Sequence, residues 1–134
     1  MSFERIQPDG WESPSGYSNG LLAPAGARLL FVAGQVAWDA DQVLVGKGDF
    51  AAQFRQALAN VLAVVDAAGG RPAHLASLTV FVTDKQAYLD ATKALGRIWR
   101  ELVGTHYPAM ALVEVAGLLE KDAQVEIQAI AALG

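Results

Sequence analysis

The segment at residues 28–37, RLLFVAGQVA, is apolar at almost every position, and it limits most strongly what this chain can fold into. A strand of this composition is typical of burial on both faces, whereas a half-exposed strand alternates apolar and polar residues. Gly34 inside the segment indicates a bulge or a close approach to the backbone. The fold must therefore cover both faces of the sheet that contains this strand.

Two amphipathic helices are predicted. Residues 49–68 follow the helical apolar period, Asp49 can cap the N-terminus, and Gly69-Gly70 ends the helix. A second helix is predicted from Asp84 to Val103 and ends at Gly104. Further strands are predicted at residues 75–82, 110–116 and 124–133, with short ones at 3–6 and 21–23.

Two helices can cover only one face of this sheet. The strands are largely apolar on both faces, so the uncovered face must meet something, and another copy of the chain is the simplest candidate. We therefore predict an α+β fold with one domain over residues 1–134, a sheet covered on one face by two helices, and an oligomer built on the other face.

Charge and composition exclude several classes of function. The 10 basic and 14 acidic residues give a formal net charge of −4, which disfavours nucleic-acid partners because these require clustered positive charge. The absence of cysteine removes disulfides, thiol catalysis and thiolate metal sites. The sequence has no signal-peptide stretch and no apolar run near the ~20 residues of a membrane span, so we expect a cytoplasmic protein without a membrane partner.

Conventional catalytic motifs are missing from the sequence, including phosphate loops, H-E-x-x-H and G-x-S-x-G. His74 and His106 lie in different loops without an acidic residue in register, so we expect no metal site. Glu126 lies in a predicted strand, either on an exposed face or at a subunit junction where it would hold water or a polar ligand. Glu114 has the same two interpretations, and its neighbours favour a salt bridge at an edge or interface at least as much as a ligand site. Tyr17 either packs over the core or projects into a cleft.

Seven short segments occur in a familiar order along the chain. They are PSGYSNG at 14–20, LFVAGQV at 30–36, QALANVLAVVDAAGG at 56–70, TVFVTD at 79–84, YPA at 107–109, VEVA at 113–116 and VEIQAIA at 125–131. Together they span nearly the whole chain. In this combination the sequence resembles the reactive intermediate deaminase (Rid) family, also labelled endoribonuclease L-PSP or translation inhibitor.

The resemblance implies a chorismate-mutase-like α+β fold assembled as a homotrimer, with the sheets in a central β-barrel, the helices outside and small-molecule clefts between subunits. Deaminases of this family hydrolyse 2-imino or enamine acids to 2-keto acids and ammonia, with no metal or organic cofactor. The substrate carboxylate is held by an arginine, water is oriented by a glutamate, and an aromatic ring walls the cleft.

Carried onto this chain, Tyr17 is the ring and Glu126 is the water-orienting carboxylate. The expected substrate-binding residues are Gly34, Tyr107, Pro108, Ala109 and Met110. The family's Pro-Ala-Arg reads Pro-Ala-Met here, and a thioether cannot pair with a carboxylate. The sequence offers five substitute cations without placing any of them at the cleft: Arg5, Arg28, Arg71, Arg97 and His106.

Three functions stay open at this point. The first is a hydrolase of imines, enamines or related carbon–nitrogen compounds whose substrate preference is altered by Met110. The second is a trimer that binds a metabolite without catalysis. The third, an endoribonuclease or translation inhibitor, is disfavoured by the acidic charge.

Overall fold

A computed structural model describes residues 2–134 of the protein. The strands are β1 (Glu4–Ile6), β2 (Gly20–Leu22), β3 (Arg28–Gln35), β4 (Leu75–Val82), β5 (Ala109–Glu114) and β6 (Val125–Leu133). The α-helices are α1 (Phe50–Ala67), α2 (Lys85–Asp90) and α3 (Thr92–Leu102), and a short 3-10 turn covers Pro72–His74.

Strands β3, β6, β4 and β5 form a mixed sheet in that spatial order, while β1 and β2 pair in a separate ribbon. The central strand β6 is antiparallel to both β3 and β4, and β4 is parallel to the edge strand β5. Helix α1 packs against β6, β3 and α3. The core therefore lies between the helices and one face of the sheet; its largest fully buried apolar side chains include Leu58, Val61, Leu78, Val80 and Ile127.

The first predicted helix is confirmed, and the second is interrupted. Asp49 caps α1 by accepting a hydrogen bond from the Ala52 N–H at 3.1 Å. Residues 84–103 do not form one helix, because Ala91 leaves helical geometry at φ −100° and ψ 5° and separates α2 from α3. Its N–H bonds to the Tyr88 carbonyl three residues back, a tighter turn that apolar periodicity does not reveal.

Strand bounds differ slightly from the prediction. Strand β3 ends at Gln35 instead of residue 37, and the pairing of β3 with β6 shifts register between Val32 and Gln35. Gly34 lies inside that shift, so the predicted bulge is confirmed. Strand β5 begins one residue earlier than predicted and ends at Glu114.

The sheet face turned away from the helices, here the open face, carries an apolar patch that no other segment of residues 2–134 covers. Leu29 and Phe31 are 57% and 71% exposed, whereas Val32, which faces the helices, is 2% exposed. Phe31 pairs with Ile130 on β6, which extends the apolar patch onto the neighbouring strand. A second copy as the cover of this face stays a prediction.

Within the described residues, no helix combines the length and apolar character that crossing a membrane requires.

Candidate functional site

A cleft of about 520 Å³ opens on the helix-covered side of the sheet, between α3 and the edge strand β5. Its walls come from the loop before β2, from α2 and α3, and from β4 and β5. The residues that line it include Tyr17, Tyr88, Thr92, Gly96, Trp99, Arg100, Tyr107, Met110 and Leu112. The cleft is therefore largely aromatic and aliphatic.

Tyr17 is held at this cleft by the residue that follows it. The Ser18 N–H donates to the Pro108 carbonyl at 3.0 Å, and the Ser18 hydroxyl donates to the Tyr107 carbonyl. Ser18 is buried and also forms a parallel bridge with Ala109. These contacts fix the loop to the start of β5, so Tyr17, which is 41% exposed, lines the same cleft as Met110.

A stacked aromatic pair supports one wall. The rings of Trp99 and Tyr107 lie 6.0 Å apart at an interplanar angle of 9°. The Trp99 indole N–H donates to the His106 carbonyl at 3.1 Å, which ties α3 to the segment that enters β5. This wall is therefore fixed by both packing and a hydrogen bond.

Met110 lies on the helix-facing side of β5. It pairs in register with Leu78, which is 2% exposed, and packs against the core. Leu112 pairs with Val80 and faces the same way. The strand side of the cleft is consequently apolar.

Glu126 and Gly34 form a second group on the opposite face. Glu126 is half-buried and pairs with Phe81, on the side away from the helices. A Cβ atom built on Gly34 would lie 2.8 Å from the Glu126 Cδ, so the carboxyl group lies directly against the glycine backbone. Glu126 has no ion-pair partner within residues 2–134, where the salt bridges are Lys47–Asp122 and Arg55–Glu101.

One chain does not bring these two groups together. Across the sheet Glu126 pairs with Phe81, and Phe81 pairs with Val113. Met110 is three residues from Val113 along β5 and faces the opposite side of the sheet. The sequence-predicted site is therefore divided: Tyr17, Tyr107 and Met110 line the cleft, whereas Gly34 and Glu126 lie on the open face.

The other two predicted binding residues have backbone roles at the start of β5. Pro108 is buried, and its carbonyl accepts the Ser18 hydrogen bond. Ala109 pairs with Ser77 of β4 and bridges to Ser18. Both residues position the strand and the loop that carries Tyr17.

None of the five cations proposed from the sequence lines the Met110 cleft. Arg5 and His106 line a separate depression of about 210 Å³, and Arg97 lines a groove with Arg55 and Glu101. Arg28 begins β3, and Arg71 precedes the 3-10 turn.

His106 is held away from the cleft by two contacts. Its ring stacks on Phe3 with centroids 5.8 Å apart, and its Nε2 lies 2.7 Å from the Leu75 carbonyl, to which it donates.

The cleft does contain a cation that sequence reasoning missed. Arg100 of α3 lines it together with Met110 and Tyr17. Thr92, Gly96 and Arg100 are spaced four residues apart and so share one edge of the helix, next to buried Trp99. This four-residue spacing was the signal available in the sequence. It identifies Arg100 as a cleft residue only once the packing of α3 against β5 is known.

Glu114 has a structural role. Its Oε1 accepts the Lys85 N–H at 2.9 Å, at the N-terminus of α2. A carboxylate at this end of a helix satisfies a free donor. The contact ties the end of β5 to α2.

The histidine that precedes β4 also has a local role. His74 Nδ1 accepts the Arg71 N–H at 2.8 Å. Burial, followed by the charge of Arg71, lowers the pKa of His74 from its ordinary value of 6.5. Residues 2–134 contain no group of three or more His, Asp or Glu side chains arranged to hold a metal ion.

The chain matches a known protein family over most of its length. The family model described as endoribonuclease L-PSP matches residues 12–133. The chain belongs to this family, the Rid family. A RutC family protein of Pyrococcus horikoshii is 34% identical over 115 residues, which cover 86% of this chain and 85% of the relative. A protein of Salmonella typhimurium named 2-iminobutanoate/2-iminopropanoate deaminase is 37% identical over 103 residues, covering 77% and 78%.

Solved structures confirm the Rid fold. YyfB of Yersinia pestis, a Rid-family protein of unknown function, superposes with a TM-score of 0.86 at 32% identity and covers 99% of this chain and 100% of that one. Escherichia coli TdcF with bound serine has a TM-score of 0.70 at 30% identity, covering 100% and 99%. The α+β architecture with helices on one sheet face is therefore that of Rid proteins.

Proposed function

We propose that this Rid-family chain hydrolyses the C=N bond of a small imine, or of an enamine that tautomerises to one, in a cleft between copies of the chain. The observation that carries the proposal is the Glu126 carboxylate, half-buried against Gly34 and without an ion-pair partner in residues 2–134. The Salmonella relative named as an imine deaminase supports the reaction class.

The reaction needs one group that accepts a proton and then returns it. Glu126 accepts a proton from water as the water oxygen bonds to the imine carbon and the C=N electron pair moves onto nitrogen. Glu126 returns this proton to the nitrogen, which gives a tetrahedral carbinolamine. The hydroxyl proton is then transferred to nitrogen, the C–N bond breaks, and ammonia leaves a carbonyl product. Imine and water thus become carbonyl compound and ammonia, without any other reactant.

A second copy is required because Glu126 and the cleft occupy opposite faces of one sheet. A neighbouring copy packed against the open face, with the edge strand β5 of its own cleft next to Glu126, would complete the site. The homotrimer implied by the family resemblance has clefts of this kind. In it, Tyr17 would wall the site and the oriented water would lie between subunits.

Met110 changes what such a site selects. An arginine at this position would form a charge-assisted pair with a substrate carboxylate, which contributes roughly 1.5–3 kcal/mol. Its replacement by a thioether corresponds to about tenfold to hundredfold weaker binding through that contact. We propose a substrate preference that differs from that of the short 2-imino acids named for the Salmonella relative.

The test uses imines generated in situ by an amino acid oxidase acting on several amino acids. We expect the protein to accelerate the conversion of at least one imine to its carbonyl product. Glu126→Gln keeps the shape but removes the base, so turnover should fall about a hundredfold, in the range that general acid–base groups supply. Glu12→Gln, in an exposed loop, is the matched control. No acceleration for any imine, or equal rates for Glu126→Gln and the unmodified protein, would contradict the proposal.

The apolar Met110 also favours a second candidate, a trimer that binds a metabolite without converting it. A ligand that binds the native state raises the unfolding temperature. Thermal-shift hits that show no turnover would favour this function over hydrolysis.

A further inference from the structure

We propose that Arg100 is the anion-binding residue of the cleft, and that it selects small carboxylates bearing a bulky apolar group. The inference deepens the proposed function and rests on it for the reaction, but ligand binding can be measured separately from turnover.

Arg100 is the one charged side chain among the cleft-lining residues of the described chain. The surrounding walls contain Tyr17, Tyr88, Trp99 and Leu112, all with large apolar surfaces. Ligand sites of this kind bury an apolar body and orient it with a few polar groups. A single guanidinium in such a wall favours a ligand with one anionic head, because guanidinium and carboxylate can pair through two parallel hydrogen bonds.

The guanidinium of Arg100 has no carboxylate partner within residues 2–134. The carboxylate of the next residue, Glu101, is paired with Arg55, whose two terminal nitrogens lie 2.9 and 2.7 Å from the carboxylate oxygens. Adjacent residues on a helix do not face each other, so Glu101 lies over the α1 side while Arg100 lines the cleft. Arg100 therefore keeps its donors for a ligand.

Gly96 leaves space next to Arg100. It lies one helical turn before Arg100, and helical side chains lean towards the N-terminus, so the arginine covers the turn that carries this glycine. A Cβ atom on Gly96 would meet no atom of residues 2–134 within 4 Å, and the backbone of Gly96 is helical. Neither packing nor conformation requires glycine here, although glycine destabilises a helix relative to alanine. The missing side chain widens the cleft at the point where Arg100 reaches it.

Met110 and Arg100 line the cleft from opposite sides, one on β5 and the other on α3. A cation on the strand would draw the carboxylate of a ligand towards β5. With Met110 there, the apolar group packs against the strand side and the carboxylate turns to α3. The arrangement therefore fits a carboxylate attached to an aromatic or branched apolar group.

Calorimetric titration of the full chain with 3-phenylpropanoate and its neutral amide tests this assignment. We expect the carboxylate to bind at least about tenfold more tightly than the amide, in line with one charge-assisted pair. Arg100→Gln should abolish that preference and leave amide binding unchanged. Arg97→Gln, on the same helix but lining a different groove, should bind both probes like the unmodified protein.

A second variant tests the site independently of the charge. Gly96→Leu fills the space beside Arg100 and should weaken both probes by about tenfold or more, because it obstructs the apolar part of the cleft. Circular dichroism checks that each variant is folded.

The assignment is overturned if Arg100→Gln keeps the carboxylate preference, if the unmodified protein binds the two probes equally, or if it binds neither. Failure of the proposed function would give a different experimental result. A protein that prefers the carboxylate through Arg100 but accelerates no imine hydrolysis would contradict the hydrolase and leave the anion site established.

Discussion

The two faces of the central sheet carry different halves of the candidate site. On the helix-covered face, the cleft walls are fixed inside one chain by the Ser18 hydrogen bonds and by the Trp99–Tyr107 stack. On the open face, Glu126 rests against Gly34 beside an exposed apolar surface. A single chain therefore completes the binding walls but leaves the proposed base on the other side of the sheet. The difference shows that chemistry which needs both halves also needs a second copy.

The largest effect is expected from a charge on the open face. Phe31→Glu places a carboxylate at a side chain that is 71% exposed in one chain and that an oligomer would bury. Burying a large apolar side chain contributes about 1.5–3 kcal/mol, and an unpaired buried charge is unfavourable, so the assembly should dissociate to monomers. Light scattering coupled to size-exclusion chromatography measures the mass. Leu89→Glu on α2, 55% exposed, is the matched control and should leave the mass unchanged.

If Phe31→Glu has the same mass as the unmodified protein, the open face is not the contact between copies, and the two halves of the site have no common cleft.

The second-largest effect tests the position of the Glu126 carboxylate separately from the stability of the fold. Gly34→Ala puts a methyl group where the Glu126 carboxyl now lies, with its Cδ 2.8 Å away. The end of a flexible side chain can move aside, so the unfolding temperature should change little while imine turnover falls about tenfold to hundredfold, the range of a misplaced catalytic group. Gly117→Ala is the control, since a methyl group there meets no atom of the described part of the chain within 4 Å. Unchanged turnover in Gly34→Ala would show that the position of Glu126 is unimportant.

A smaller effect is expected on the cleft side. Gly96→Ala should raise the free energy of unfolding by about 0.5–1 kcal/mol, because alanine is the better helix former and its methyl group has space. The same methyl group narrows the cleft, so binding of 3-phenylpropanoate should weaken slightly. Urea unfolding and calorimetry measure the two quantities. A variant that loses stability would mean that Gly96 is required by the fold rather than by the ligand.

The smallest effect is expected on the pH dependence of stability, through His74, which lies outside both halves of the site. The lowered pKa of His74 means that the unfolded chain takes up a proton more readily than the folded chain. Stability should therefore decrease as the pH falls below the ordinary histidine value of 6.5. His74→Asn retains an acceptor for the Arg71 N–H, and its stability should depend less on pH in this window. Equal pH dependence of the two proteins in urea unfolding would contradict this assignment to His74.

Sequence patterns predicted most of the fold because the burial of apolar side chains determines those patterns. The stripe of α1, its Asp49 cap and the apolar strands all follow from local periodicity, whereas the break at Ala91 depends on one residue whose side chain fits either geometry. Local sequence context singled out Tyr17, Glu126 and Gly34 as candidates, whereas their roles and the significance of Met110 came from the family resemblance. The division of the site between two faces depends on strand pairing, and the role of Arg100 depends on packing between α3 and β5. Neither is encoded in local spacing.

Cross-linking tests the central claim most directly, because the chain contains no cysteine of its own. A double variant, Leu112→Cys with Glu126→Cys, carries one thiol at the cleft and one on the opposite face of the sheet. Within one chain the sheet separates these positions, whereas a short bismaleimide can join them between chains where neighbouring copies share a cleft. We predict covalent multimers on a denaturing gel from the double variant and none from either single variant. Monomers alone from the double variant would contradict the claim that two copies complete the site.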